Sequence, residues 1–125
     1  MLDLGPVLVV DDDAAVRAAL KFALELEGFR VRLYDGPAAL LAERSLPERG
    51  CLVVDFRMPD MDGIALIGVL RSRHIALPAI VISGQVDKVL LRRANQLGVS
   101  RVLEKPLSDA TLVECIRRAL EAPPT

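Results

Sequence analysis

Apolar residues in this chain come in short unbroken runs, and each run stops at a polar residue. Pro6–Val10 ends at Asp11-Asp12-Asp13, Cys51–Val54 at Asp55, and Ala79–Ile82 at Ser83. The shorter stretch Arg101–Glu104 ends at Lys105-Pro106. A continuous aliphatic, β-branched run suits a strand buried on both faces. Arg30–Tyr34 alternates instead, as an edge strand does.

Between the runs the period lengthens to that of a helix. Val16, Leu20, Ala23 and Leu24 mark one face of a helix that starts at Ala14 and is closed by Gly28. Pro37 sits in the first turn of a second helix extending to about Ser45. A third, from Gly63 to about Arg73, turns Ile64, Ile67 and Leu70 inward. A fourth, over 86–97, carries Val89, Leu90, Ala94 and Leu97 and closes at Gly98. Ser108 caps the last helix, with Asp109 in its first turn and Leu112, Cys115, Ile116, Ala119 and Leu120 on its apolar face. Strands alternating with helices in this way predict a parallel sheet covered on both faces, a single doubly wound α/β domain. That domain is expected over 1–122. Residues 123–125 read as a C-terminal tail or the start of a linker, because Pro123-Pro124 cannot continue a helix.

Composition narrows the function. With 125 residues, 52% hydrophobic and 26% charged, the chain can bury a core and is not disordered. A net charge of −1 gives no basic excess for phosphate backbones, so no direct nucleic-acid contact is expected from these residues. No basic-then-apolar leader and no bilayer-spanning run is visible, which makes a cytoplasmic location the default. Cys51 and Cys115 read as small buried hydrophobes. His74, the one histidine, falls in a helix-exit loop and reads as solvated. Arg92-Arg93 and Arg117-Arg118 read as solvated faces or salt-bridge partners.

In a parallel sheet the strand ends share one edge, where ligands of such folds bind. Asp11, Asp12, Asp55, Ser83 and Lys105 are therefore expected in one cleft. Clustered carboxylates raise each other's pKa, and a divalent cation relieves the repulsion. Mg²⁺ suits the cleft, with Mn²⁺ as a substitute, because it takes one or two carboxylates and keeps waters for phosphate oxygens. Asp55 then stands as a nucleophile toward phosphorus. Ser83 supplies a hydroxyl and Lys105 a charge for the phosphoryl oxygens. Asp13 reads as a helix start, and Asp60 and Asp62 as loop-forming carboxylates. An EF-hand reading of that loop fails, since its twelfth position would be Val69.

Four motifs occur in order across the chain: Val9-Val10-Asp11-Asp12, Val54-Asp55 with Met58–Gly63, Ile82-Ser83-Gly84, and Glu104-Lys105-Pro106. Together they resemble the response-regulator receiver domains of two-component signalling. Ser83-Gly84 and Glu104-Lys105-Pro106 look most like the FixJ type, whose receivers often precede a helix-turn-helix domain. The resemblance implies a flavodoxin-like sheet of strand order 2-1-3-4-5, with Asp55 as phosphoacceptor. It implies Mg²⁺ on Asp12, Asp55 and the backbone carbonyl of Arg57, with Asp11 acting through water. It implies Ser83 and Lys105 on the phosphoryl group, and a domain that catalyses its own phosphorylation and dephosphorylation. The implied donor is a sensor histidine kinase or a histidine phosphotransfer protein. The implied output face, for a partner or a homodimer, is the fourth helix with the fifth strand and fifth helix. Arg57 and Gln85 border the site and are expected to modulate phosphate lifetime. Val102 and Leu107 depart from the family, which commonly has aromatic residues there. Two rivals are a small Mg²⁺-dependent phosphatase resembling the haloacid dehalogenase superfamily, with Asp11 as nucleophile and Asp13 as acid, and a pseudo-receiver that works without phosphorylation. The phosphatase leaves Asp55 unexplained.

Overall fold

In the computed structural model, which describes residues 4–121, every apolar run is a strand. These are β1 (Val7–Val10), β2 (Val31–Tyr34), β3 (Cys51–Asp55), β4 (Ala79–Ser83) and β5 (Arg101–Glu104). The helices are α1 (Ala14–Leu26), α2 (Pro37–Ala42), α3 (Gly63–Ser72), α4 (Lys88–Gln96) and α5 (Asp109–Glu121). The sheet is parallel throughout, in the order β2-β1-β3-β4-β5.

Successive strand residues face opposite sides of the sheet, and here both sides are covered. Leu8, Val10, Leu52, Val54 and Val81 pack with Leu40, Ile64, Ile67, Leu70 and Leu90 of α2, α3 and α4. Val7, Val9, Val53 and Ile80 pack on the other side with Leu24 of α1 and Leu112 and Ile116 of α5. This two-sided burial is why the strand sequences are unbroken rather than alternating. Cys51 and Cys115 are free thiols within the second layer. Burial, with Cys115 nearby, pushes the Cys51 thiol up to about 12, and its S–H donates to the Leu52 carbonyl at 3.6 Å.

Polar residues set where the helices begin. The Asp13 carboxylate accepts the N–H groups of Ala15 and Val16, at 2.9 and 3.3 Å. Asp62 accepts from Ala65 at 2.7 Å, Asp87 from Leu90 at 2.8 Å, and Ser108 Oγ from Thr111 at 3.2 Å. Such caps satisfy N–H groups that have no partner inside the helix.

Several boundaries differ from the periodicity. α4 starts at Lys88, not at 86, because Asp87 takes the cap and the Val86 N–H is held by Glu104 Oε1 at 3.1 Å. Val89, about 100° around the helix from Leu90, faces solvent, 62% exposed, and the buried side of α4 is Leu90 and Ala94. α2 stops at Ala42, short of Ser45, because Glu43 turns extended while its N–H returns to the Leu40 carbonyl at 3.1 Å. Arg30 precedes β2, although its carbonyl accepts the Val7 N–H at 2.8 Å. His74 is exposed at φ 64° just past α3. The expected boundary at 122 and the tail 123–125 lie outside the described residues. Among the described residues no helix is long and apolar enough to cross a membrane.

Candidate functional site

β1 and β3 are neighbours, and both run out into carboxylates. One carboxylate oxygen from each of Asp11, Asp12 and Asp55 lies within 4.8 Å of the other two, with Asp11 and Asp55 buried and Asp12 exposed. Asp11 is fixed by its own backbone. Its N–H donates to the Tyr34 carbonyl at 3.2 Å, its Oδ1 accepts the Asp13 N–H at 2.9 Å, and its carbonyl accepts from Arg17 Nη1 at 2.7 Å. β5 brings in the cation. Lys105 Nζ is 3.1 Å from Asp55 Oδ1, and the Lys105 N–H donates to the Ser83 carbonyl at 2.8 Å. The Lys105–Pro106 peptide is cis.

The chain after Asp55 is held equally closely. The Phe56 N–H donates to the Ile82 carbonyl, and the Gly63 N–H to the Phe56 carbonyl, both at 2.8 Å. Gly63 lies so near that a Cβ there would stand 2.5 Å from the Asp55 carbonyl oxygen. In the sequence Gly63 looks like an ordinary helix start; the close approach is set by the packing of α3 on β3, which no neighbouring residue signals.

Burial raises the Asp11 pKa above the ordinary carboxylate value. The hydrogen bond from Asp13 opposes the shift, the Asp55 charge adds to it, and smaller effects of Lys105 and Asp12 oppose and add in turn. The folded state thus holds the Asp11 proton more tightly than the unfolded chain does. Stability falls as pH rises from the ordinary carboxylate pKa through the raised one, and the full cost of the buried charge stands above it. Asp11→Asn removes that cost. It is expected to stabilise the metal-free protein at neutral pH by on the order of 1 kcal/mol, several degrees in Tm. It should also abolish the fall in stability that Asp11 contributes as pH rises through its raised pKa, which steepens the acid limb of the Tm–pH curve, and reduce the Tm gained on adding a divalent ion. A variant that melts below the wild type in metal-free buffer at pH 7 contradicts this.

Three clustered carboxylates, all hard oxygen donors with one destabilised by burial, fit a hard divalent cation. The other expected residues are near, with differences. Ser83 is buried at the end of β4, but its hydroxyl donates to the Gln85 carbonyl at 2.9 Å and accepts the Gln85 N–H at 3.3 Å. Arg57 and Gln85 are exposed and, with Phe56, Ser83, Val89 and Leu90, border a cavity of about 150 Å³. Val102 is half-buried on β5 against the α2–α4 side of the sheet. Asp13 caps α1 through its Oδ1, the helix-start role expected of it.

The sequence profile of the response regulator receiver domain matches residues 7–117. This chain belongs to the receiver family. The receiver is 40% identical over 115 residues to the transcriptional regulatory protein FixJ of Azorhizobium caulinodans, covering 92% of this chain and 54% of that protein. It is 39% identical over 115 residues to FixJ of Rhizobium meliloti, covering 92% of this chain and 56% of that one. The chain thus spans about half the length of these curated relatives. Its structure is similar to the crystal structure of FixJ-N, with TM-score 0.88 and 38% identity, covering 100% of this chain and 99% of the other. The response regulator StyR gives TM-score 0.86 and 35% identity, covering 93% of this chain and 59% of that one. The receiver fold expected from the four motifs, and the FixJ type expected from Ser83-Gly84 and Glu104-Lys105-Pro106, are both borne out.

Proposed function

We propose that this receiver is a phosphorylation-dependent switch in which Asp55 takes a phosphoryl group from a phosphohistidine. The observation that carries the reading is the buried Asp55 carboxylate, 3.1 Å from Lys105 and within 4.8 Å of oxygens of Asp11 and Asp12. A lone buried carboxylate has no reason to gather two more acids and a lysine. A site for an anion and its counter-cation does.

The donor is the phosphohistidine of a sensor histidine kinase or of a histidine phosphotransfer protein. An Asp55 carboxylate oxygen forms the new bond to phosphorus while the phosphorus–nitrogen bond breaks, and the leaving imidazole takes up a proton. Asp12, Asp55 and the Arg57 carbonyl would hold Mg²⁺ or Mn²⁺, with Asp11 acting through water, and a cation there would supply charge neutralisation for the carboxylates and the developing phosphoryl charge. Lys105 already touches Asp55 and passes to a phosphoryl oxygen. Arg57, two residues after Asp55, and Gln85, two residues after Ser83, control how water reaches the acyl phosphate.

Ser83 carries the signal outward. Its hydroxyl leaves the Gln85 carbonyl to donate to the phosphoryl group, which frees the turn leading into α4. Val102 is too short and too restricted in χ1 to swing as an aromatic ring does, so the backbone of 84–90 bears the change. The output face is α4 with β5 and α5, where edge strand β5 offers unpaired backbone to a partner or a second copy. On the input side, α1 shows Ala15, Ala18, Ala19, Phe22 and Leu26 to solvent, with Phe22 68% and Leu26 73% exposed. α1 begins beside Asp11, so a protein presenting a phosphohistidine to Asp55 lies against this apolar stripe.

Phosphoramidate, a small phosphorus–nitrogen donor, tests the assignment. With Mg²⁺ present, borohydride trapping followed by peptide mass spectrometry should find the modification at Asp55, and chelation should abolish it. Modification at Asp11 would transfer the reading to the phosphatase. Absence of any modification, with this donor and with phosphorylated kinases alike, would favour the pseudo-receiver.

A further inference from the structure

α4 buries only Leu90 and Ala94, and it turns Val89 and Leu91 to solvent, 62% and 47% exposed. A helix with so little apolar burial depends on its remaining contacts. One of them is polar and reaches the loop behind the phosphoacceptor. Arg93 Nη2 donates to both carboxylate oxygens of Asp62, at 3.2 and 3.1 Å. The same guanidinium lies 5.9 Å from the centre of the Phe56 ring. The ion pair is partly shielded, with side chains 39% and 32% exposed.

Both partners of Arg93 matter to the site. Phe56 directly follows Asp55, and its N–H is fixed to β4. Asp62 caps α3 with the same Oδ1 that Arg93 touches. Between them runs the loop that contains Arg57. One α4 side chain therefore grips that loop at both ends.

We propose that Arg93 is a positioning residue for the phosphoacceptor site, holding the 56–62 loop from α4 so that cation affinity at the Asp55 cluster and the placement of α4 are coupled. The proposal rests on Asp55 being the phosphoacceptor. A planar guanidinium bound to a carboxylate and lying over a ring transmits direction as well as charge. When the site fills and the loop adjusts, Asp62 and Phe56 carry Arg93 with them, and α4 follows. The coupling runs both ways. A partner seated on Val89 and Leu91 that moves α4 changes affinity at Asp55 by the same factor.

The test uses the whole chain with Arg93→Ala and Asp62→Asn, singly and together. Asparagine remains a good cap, so the second variant weakens the grip while keeping the start of α3. Two quantities are read by amide NMR: the Mg²⁺ midpoint, and the response of 88–96 to beryllofluoride with Mg²⁺. Each single variant should weaken Mg²⁺ binding roughly five- to tenfold. The double variant should be no weaker than Arg93→Ala alone, because that change already removes the contact that Asp62→Asn weakens. The beryllofluoride shifts at 88–96 should shrink while those at 83–86 persist. A salt bridge that only stabilises would lower Tm and leave the midpoint and the 88–96 response unchanged, and that result overturns the proposal alone. A wild type with no Mg²⁺-dependent beryllofluoride response overturns the phosphoacceptor reading, and this proposal with it.

Discussion

Asp55→Asn is expected to lower phosphoryl uptake at least about a thousandfold while leaving the fold intact. The amide keeps the shape of the carboxylate and loses the negative oxygen that bonds to phosphorus. The cost in stability should be small. Asp55 is buried beside Asp11 and Asp12, so neutralising it removes repulsion from the cluster. It also removes the ion pair to Lys105, but that lysine is 44% exposed and its attraction is screened by water. The two effects oppose one another, and metal-free Tm should stay level or rise. The Tm gained on adding Mg²⁺ should largely disappear, because a central carboxylate of the cluster is gone. Uptake of radiolabelled phosphoryl from phosphoramidate, with thermal melts in Mg²⁺ and in chelator, measures both. Acid-labile phosphate on this variant at the wild-type level would mean that another residue is the acceptor.

The features legible in the sequence were those written in neighbouring residues. An apolar run stopping at a carboxylate marks a strand leaving the core, so Asp11, Asp55, Ser83 and Lys105 stood out without any contact being known. Ser108 was legible as a cap, and Asp13 as an acid at a helix start, because both act within three residues of themselves. Features that depend on distant parts of the chain were not legible. Val89 is apolar and next to Leu90, yet it is exposed, because adjacent helix residues stand about 100° apart and the sheet covers only the Leu90 and Ala94 side. Arg93 reads from sequence as part of a solvated face or a salt-bridge partner, with nothing to say which partner. Its partners Asp62 and Phe56 lie more than thirty residues earlier. Arg71 donates to the carbonyls of Leu97, Ile75 and Leu77, at 3.0, 3.0 and 2.9 Å, and nothing in its local sequence separates it from a surface arginine. The Ser83 hydroxyl shows a further limit. Its position was readable, but not that its hydrogen bonds turn to Gln85.

Gly63→Ala is expected to destabilise the receiver by about 3 kcal/mol and to lower Tm by roughly 10 °C. The cause is space rather than torsion, since Gly63 is not among the residues with positive φ. A Cβ at 63 would stand 2.5 Å from the Asp55 carbonyl oxygen and 2.9 Å from Val54 Cγ1. The first obstacle is backbone in the centre of the sheet, so it cannot rotate away. α3 would have to move off β3, lengthening the 2.8 Å hydrogen bond from the Gly63 N–H to the Phe56 carbonyl. That movement shifts the 56–62 loop, and with it the Arg57 carbonyl and the Asp62 cap. Cation affinity should therefore fall together with stability. Gly68, in the middle of α3, is the control. A Cβ there meets only Leu97 Cδ1 at 3.7 Å, an ordinary contact. Gly68→Ala should stabilise by about 0.5–1 kcal/mol, because alanine loses less backbone entropy in a helix. Opposite signs at two glycines of one helix, in parallel melts, would locate the constraint at the approach to Asp55. Equal Tm changes for the two variants would show that the α3–β3 contact yields easily and does not hold the phosphoacceptor in place.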